Sequence, residues 1–177
     1  WRLLGAGGAI TAAKVILAHN GHLESFGFQQ GRLMHILLNA CMTAEIPAEA
    51  LRALGGQDCW GATPADPMGS TVRRISTAQG GNRIVIRQGG YYRPDMQTSA
   101  ADLARVTRKM RQKFEARFPQ LAGLPFEHAW SGHLCLSKNA VSVMRELEPG
   151  LFSACVQNGL GTARGTLTGI GAAELAC

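Results

Sequence analysis

The segment that most constrains this chain is its C-terminal one. There an apolar run, Leu151 to Val156, enters Asn158-Gly159-Leu160-Gly161-Thr162 and leaves through a small-residue pattern that continues to Ala176. That order predicts a strand, a glycine turn, and a helix whose first amides point back at the strand end. The opening N–H groups of a helix lack intrahelical acceptors, and the helix dipole adds positive potential to them, so such a start draws anionic or electron-rich ligand atoms. Glycine lets a ligand approach the backbone where a Cβ would collide. The segment therefore points to a cofactor loop. Its helical pattern is still running at Cys177, which leads us to expect a chain cut short.

The 177 residues suffice for one medium domain, or for one domain with part of another. An apolar content of 46% with mixed charge leads us to expect a globular, soluble protein. No apolar run reaches the roughly eighteen residues that span a bilayer. No basic-then-apolar leader is present, although residue 1 is Trp rather than Met. The five cysteines (Cys41, Cys59, Cys135, Cys155, Cys177) are odd in number and form no CxxC pair, which argues against a zinc knuckle or dithiol site. Free thiols in a reducing cytoplasm are expected. Much of the net charge of +6 sits in Arg105, Arg108, Lys109, Arg111, Lys113 and Arg117, all on one predicted helix. Such a cluster is a solvated face, and nucleic acid is not expected as a partner.

Along the chain, Ile10 to Ala18 reads as one buried strand of a parallel sheet, ending at His19-Asn20-Gly21. The preceding Gly5-Ala6-Gly7-Gly8-Ala9 is not a dinucleotide fingerprint, because Ile10 holds the sixth place and a strand follows, not a helix. A hairpin turn is expected there. Arg32 to Ala44 reads as strand, and a short helix starts at Pro47 and stops at Gly55-Gly56. Gln57 to Ser70 reads as loop, and Thr71–Thr77 with Arg83–Gln88 as an antiparallel hairpin. The clearest helix is capped by Ser99, carries the stripe Leu103, Val106, Met110, Phe114 and Phe118, and ends at Pro119. That stripe is core packing. Phe126–Ser137 and Leu151–Val156 complete the expected strands. The middle of the chain thus mixes antiparallel strands with a covering helix, and its ends look like pieces of a parallel α/β unit.

Three segments, in order, carry a resemblance: Lys14-Val15-Ile16-Leu17-Ala18-His19-Asn20-Gly21, then Glu127-His128-Ala129-Trp130-Ser131-Gly132-His133 through Asn139, then Asn158-Gly159-Leu160-Gly161 with Gly165-Thr166 and Ala173-Glu174-Leu175. Together they resemble the C-terminal part of FAD-dependent oxidoreductases of the D-amino-acid-oxidase type, closest to the gamma-glutamylputrescine oxidoreductase branch. The resemblance implies an α/β fold with an α+β substrate lobe: a partial Rossmann-like FAD-binding domain into which an antiparallel substrate domain is inserted. The expected division is 1–27 and 151–177 for the FAD-binding pieces and 28–150 for the substrate domain. It implies oxidation of the C–N bond of an amine to an imine, by hydride transfer to FAD that oxygen or another acceptor reoxidises. The cofactor does the redox work and the protein supplies placement and electrostatics.

On that basis Ala18, Gly21, Asn158, Gly159, Leu160, Gly161 and Thr162 are the cofactor-binding candidates. His133 and Trp130 are the catalytic ones, His133 orienting an amine or serving the strand, Trp130 walling the site or anchoring the lobe. Arg74 and Arg164 are the substrate-binding candidates, with Arg73 and Arg93 as further carboxylate partners. The family's glycine fingerprint for the diphosphate has no match in this sequence, so a fragment that binds FAD poorly and is inactive by itself is expected. Where amino-acid oxidising members place an arginine after the Trp-x-Gly strand, this chain has His133-Leu134-Cys135, which favours an amine substrate. Cys135 lies near where sarcosine-oxidase-like relatives tether their flavin, but a buried cysteine is usually inert filler. His128 and His133, five residues apart, fall on opposite strand faces, and no metal is expected. The competing reading is a non-catalytic flavoprotein-like subunit that binds a partner through its antiparallel lobe.

Overall fold

Apolar runs become strands where a partner strand accepts their hydrogen bonds. The computed structural model of the chain, which describes residues 1–66 and 68–177, identifies those partners. In chain order the elements are β1 Arg2–Gly5, β2 Gly8–Thr11, β3 Val15–Leu17, β4 Leu33–Thr43, α1 Ala48–Leu54, β5 Trp60–Ala62, β6 Ser70–Ile75, β7 Arg83–Tyr92, α2 Ala100–Arg117, β8 Phe126–Ser137, β9 Val143–Glu148, β10 Leu151–Cys155 and α3 Gly161–Ala176. They form two compact units, Trp1–Ile36 with His133–Cys177, and Leu37–Gly132.

In the first unit β10 is central, parallel to β3 and antiparallel to β9. Every residue of β10 is buried, as expected for a strand covered on both faces. Leu17, Leu23, Cys135, Leu151, Cys155 and Val156 make the core, and each large apolar side chain there contributes about 1.5–3 kcal/mol. Helix α3 returns along this sheet. Lys14 Nζ donates to the carbonyls of Ala176 and Cys177, placing a cation at the negative end of the helix dipole. The β1–β2 hairpin is closed by Gly5 opposite Gly8 and is exposed along both strands.

In the second unit the sheet runs β5-β6-β7-β4-β8. Val106, Met110 and Phe114 of α2 pack with Val72, Ile84 and Ile86 of β6 and β7. Phe114 meets Phe126 edge to face at 5.4 Å, and the Arg111 guanidinium lies 4.7 Å from the centre of the Phe126 ring. The Ser99 hydroxyl accepts from the Asp102 amide at 3.0 Å, capping α2.

The structure alters the sequence reading in three places. Ile10–Ala18 is not one strand: β2 pairs with β1 while β3 pairs with β10, so the chain must turn between partners. The loop read over Gln57–Ser70 contains β5, which pairs with β6; Pro67 of that loop lies outside the described residues. Strand β9 escaped notice because it is an edge strand whose core-facing side carries only Val143 and Leu147, both partly buried, too few for an apolar pattern. The compact units part at 36/37 and 132/133, inside β4 and β8. Phe28 and Leu33 pack on the first unit's core, and β9 is hydrogen-bonded to β10, which draws both segments into that unit.

Candidate functional site

The end of β10 is conformationally unusual. Val156, Asn158 and Gly159 have φ of 64°, 52° and 79°. A left-handed β-branched residue is a genuine outlier and costs of order 1–3 kcal/mol, so Val156, fully buried, persists only because its surroundings dictate it. Three contacts do so. Asn20 Oδ1, just past β3, accepts from the Gln157 amide at 3.1 Å. Asn158 Oδ1 accepts from the Ser137 amide at 2.8 Å, at the end of β8. Gln157 Nε2 donates to Thr168 Oγ1 at 3.0 Å, on α3. The loop is thus fixed from two strand ends and from its own helix.

Helix α3 then begins at Gly161 with no side-chain cap and no acidic residue in its first turn. Its opening amides keep their positive potential for something else. Added Cβ atoms on Gly159 or Gly161 would meet nothing within 4 Å, so the loop has open space before it. Beside it, both ring nitrogens of His19 are buried without a hydrogen-bond partner among the described residues, and its ring stacks on Phe26 at 4.6 Å. Burial foremost, then the charge of His22, hold its pKa below the usual 6.5 and favour the neutral ring.

Gly21 is pressed against the wall behind the loop. A Cβ there would lie 2.8 Å from His35 Nδ1 and 3.0 Å from Cys135 Cβ. His35 is buried and its Nε2 pairs with Glu24 Oε2 at 2.6 Å. Burial pushes the Cys135 thiol up to about 11, which disfavours the thiolate that a covalent tether would need.

Ala18, Gly21, Asn158, Gly159, Leu160, Gly161, Thr162, His133 and Arg164 all lie in the first unit. Arg164 is occupied, its Nη1 donating to the Ala140 carbonyl at 2.9 Å. His133 is half-buried and shares the strand parity of Ser131 and Cys135, the buried side of β8. Trp130 has the opposite parity, is 43% exposed, and belongs to the second unit. Arg74, the other substrate-binding candidate, lies on β6 in the second unit. It is 3% exposed, and its Nη1 donates to the carbonyls of Gly55 and Gln57 at 2.9 and 2.7 Å, so it braces the turn after α1. Arg73 is exposed, and Arg93 pairs with Asp102 at 3.4 Å. Asn20, Gln157 and Ser137 were not singled out from sequence, because their roles are contacts across more than twenty residues. An Asn just before a buried glycine at a strand end was the only local signal.

The family model described as FAD dependent oxidoreductase matches residues 1–175. The chain belongs to that family. Among curated sequences no significant match is found. Similar solved structures include glycine oxidase from Geobacillus kaustophilus (TM-score 0.70, 19% identity, 97% of this chain and 43% of that one). Iminodiacetate oxidase from Chelativorans sp. BNC1 (0.64, 15%, 98% and 45%) is another. So is the fructosyl amine:oxygen oxidoreductase Amadoriase I from Aspergillus fumigatus (0.64, 17%, 97% and 41%). At these identities the likeness is one of fold, and the chain spans less than half the length of each. The fold is accordingly the mixed α/β fold of FAD-binding oxidoreductases. Among the described residues no helix is long and apolar enough to cross a membrane.

The family's cofactor fits what is present. The uncapped start of α3 and the open space before Gly159 and Gly161 leave backbone donors facing room for a partner. When bound, FAD supplies a two-electron acceptor. The amides of Gly161 and Thr162 would be donors available to hold it.

Proposed function

We propose that this chain is the C-terminal portion of an FAD-dependent enzyme that oxidises the C–N bond of an amine or amino acid to an imine. A gamma-glutamylputrescine-like amine is the favoured substrate class, and oxygen or another small carrier is the acceptor. The observation that carries the reading is the strained 156–159 backbone, bolted to the ends of β3 and β8 and delivering an uncapped helix start. In this reading Asn158 to Thr162, with Ala18 and Gly21, hold the flavin, Trp130 walls the substrate side, and His133 positions its strand. The lack of an arginine after Gly132 supports an amine over a simple α-amino acid. A cytoplasmic location agrees with five unpaired cysteines.

The test is flavin absorbance of the purified intact protein, followed by anaerobic addition of candidate amines. Bleaching by an amine, and not by its N-acetylated form, is expected. A colourless protein that takes up no added FAD overturns the assignment. Asn158→Ala strips the Ser137 amide of its acceptor and is expected to cost about 1–3 kcal/mol in thermal or urea unfolding, with loss of bound flavin.

A further inference from the structure

Beyond the cofactor loop, the first unit contains a cleft of about 520 Å³ between the loop before β4, the turn after β8, and β9. Gln29, Arg32, Lys138, Asn139, Ser142 and Arg145 line it, and no carboxylate does. Of the chain's other cations, Arg74, Arg83, Arg93, Arg105 and Arg111 each pair with an Asp or Glu. Arg32, Lys138 and Arg145 form no ion pair among the described residues.

The nearby acids are engaged elsewhere. Glu24 is held by His35 at 2.6 Å. Glu146 Oε1 accepts from the Gly150 amide at 2.9 Å. The scaffold is also fixed in advance. The Lys138 amide donates to the Arg32 carbonyl at 3.3 Å, joining the two basic segments. Asn139 Oδ1 accepts from the Val141 amide at 3.2 Å, and Ser137 Oγ donates to the Val141 carbonyl at 2.8 Å. Three like charges held around one concavity repel one another, and the concave shape focuses their field on its interior.

We propose that this cleft binds a compact polyanion, a phosphate ester or a small di- or tricarboxylate, through Arg32, Lys138 and Arg145. Neutral donors Asn139 and Ser142 complete the ring. None of the three cations belongs to the cofactor loop, and the lining residue Ser137 is bonded to that loop, its amide donating to Asn158.

Calorimetric titration of the intact protein at low ionic strength, with inorganic phosphate, citrate and chloride, is the test. Saturable one-to-one binding of phosphate or citrate but not chloride is expected. The tighter of the two identifies the source as a phosphate ester or a carboxylate. Lys138→Glu and Arg145→Glu should each weaken binding at least about tenfold, or roughly 1.4 kcal/mol, while Arg108→Glu on α2 leaves it unchanged. In the wild-type chain, the tighter-binding of the two anions should also protect Lys138 from acylation, read by peptide mass spectrometry. Absence of saturable binding, equal weakening by Arg108→Glu, or unprotected Lys138 overturns the proposal.

Discussion

Two glycine-rich segments of this chain, Gly5–Ala9 and Gly159–Gly165, share composition and nothing else. In the first, Gly5 faces Gly8 across a hairpin with both strands exposed, and an added Cβ on Gly5, Gly7 or Gly8 meets nothing within 4 Å. In the second, a fully buried strand feeds a turn with three left-handed residues, tied through Gln157 and Asn158 to two other strand ends, before an uncapped helix begins. Glycine is permissive in both, but only the second uses that freedom to bring backbone donors to a prepared place. A glycine cluster therefore says little until the elements on either side of it are known.

The sharpest way to break this contrast is Gly159→Val. At φ 79° a β-branched residue costs about 1–2 kcal/mol, and its side chain fills the open space before the helix. Flavin retention through gel filtration should fall at least about tenfold, and unchanged affinity would remove the loop from the cofactor site.

Next comes Gly21→Ala, whose Cβ would sit 2.8 Å from His35 Nδ1 against an already packed wall. A loss of about 1–3 kcal/mol in urea unfolding is expected, and a neutral result would mean that the wall gives way freely. His19 offers a shallower effect. Because burial and His22 hold its folded pKa below 6.5, the unfolded chain binds the proton more readily. Its contribution to stability is therefore unchanged above pH 6.5 and is lost as the pH falls from there through the folded pKa. An NMR titration should place its midpoint below 6.5, and His19→Asn should flatten the acid slope of the melting temperature.

The control is Gly7→Ala in the exposed turn, expected to stay within about 0.5 kcal/mol of wild type in the same unfolding assay. A larger loss there would erase the distinction between the segments.

Much of the fold was legible because periodicity is local. The α2 stripe, its Ser99 cap, the β6–β7 hairpin and the β10–loop–α3 order follow from patterns within about twenty residues. Strands β5 and β9 were not legible, since an edge strand is defined by its neighbour's hydrogen bonds and not by an apolar face of its own. Arg73 and Arg74 make the same point at the level of side chains. Adjacent and identical in sequence, one is exposed and the other is 3% exposed on two backbone carbonyls, because strand alternation sends them to opposite faces.

The amino-acid sequence by itself determined that a buried strand runs into a glycine loop and a helix, because apolar periodicity and glycine placement are written in neighbouring residues. Only the tertiary structure decided that Asn20, Ser137 and Gln157 hold that loop, that Arg74 is a brace, and that Arg32, Lys138 and Arg145 share one cleft. Those facts depend on which distant strand ends are brought within reach of one another, and a one-residue shift in register would send the strand residues Arg74, Ser137 and Arg145 to the opposite faces.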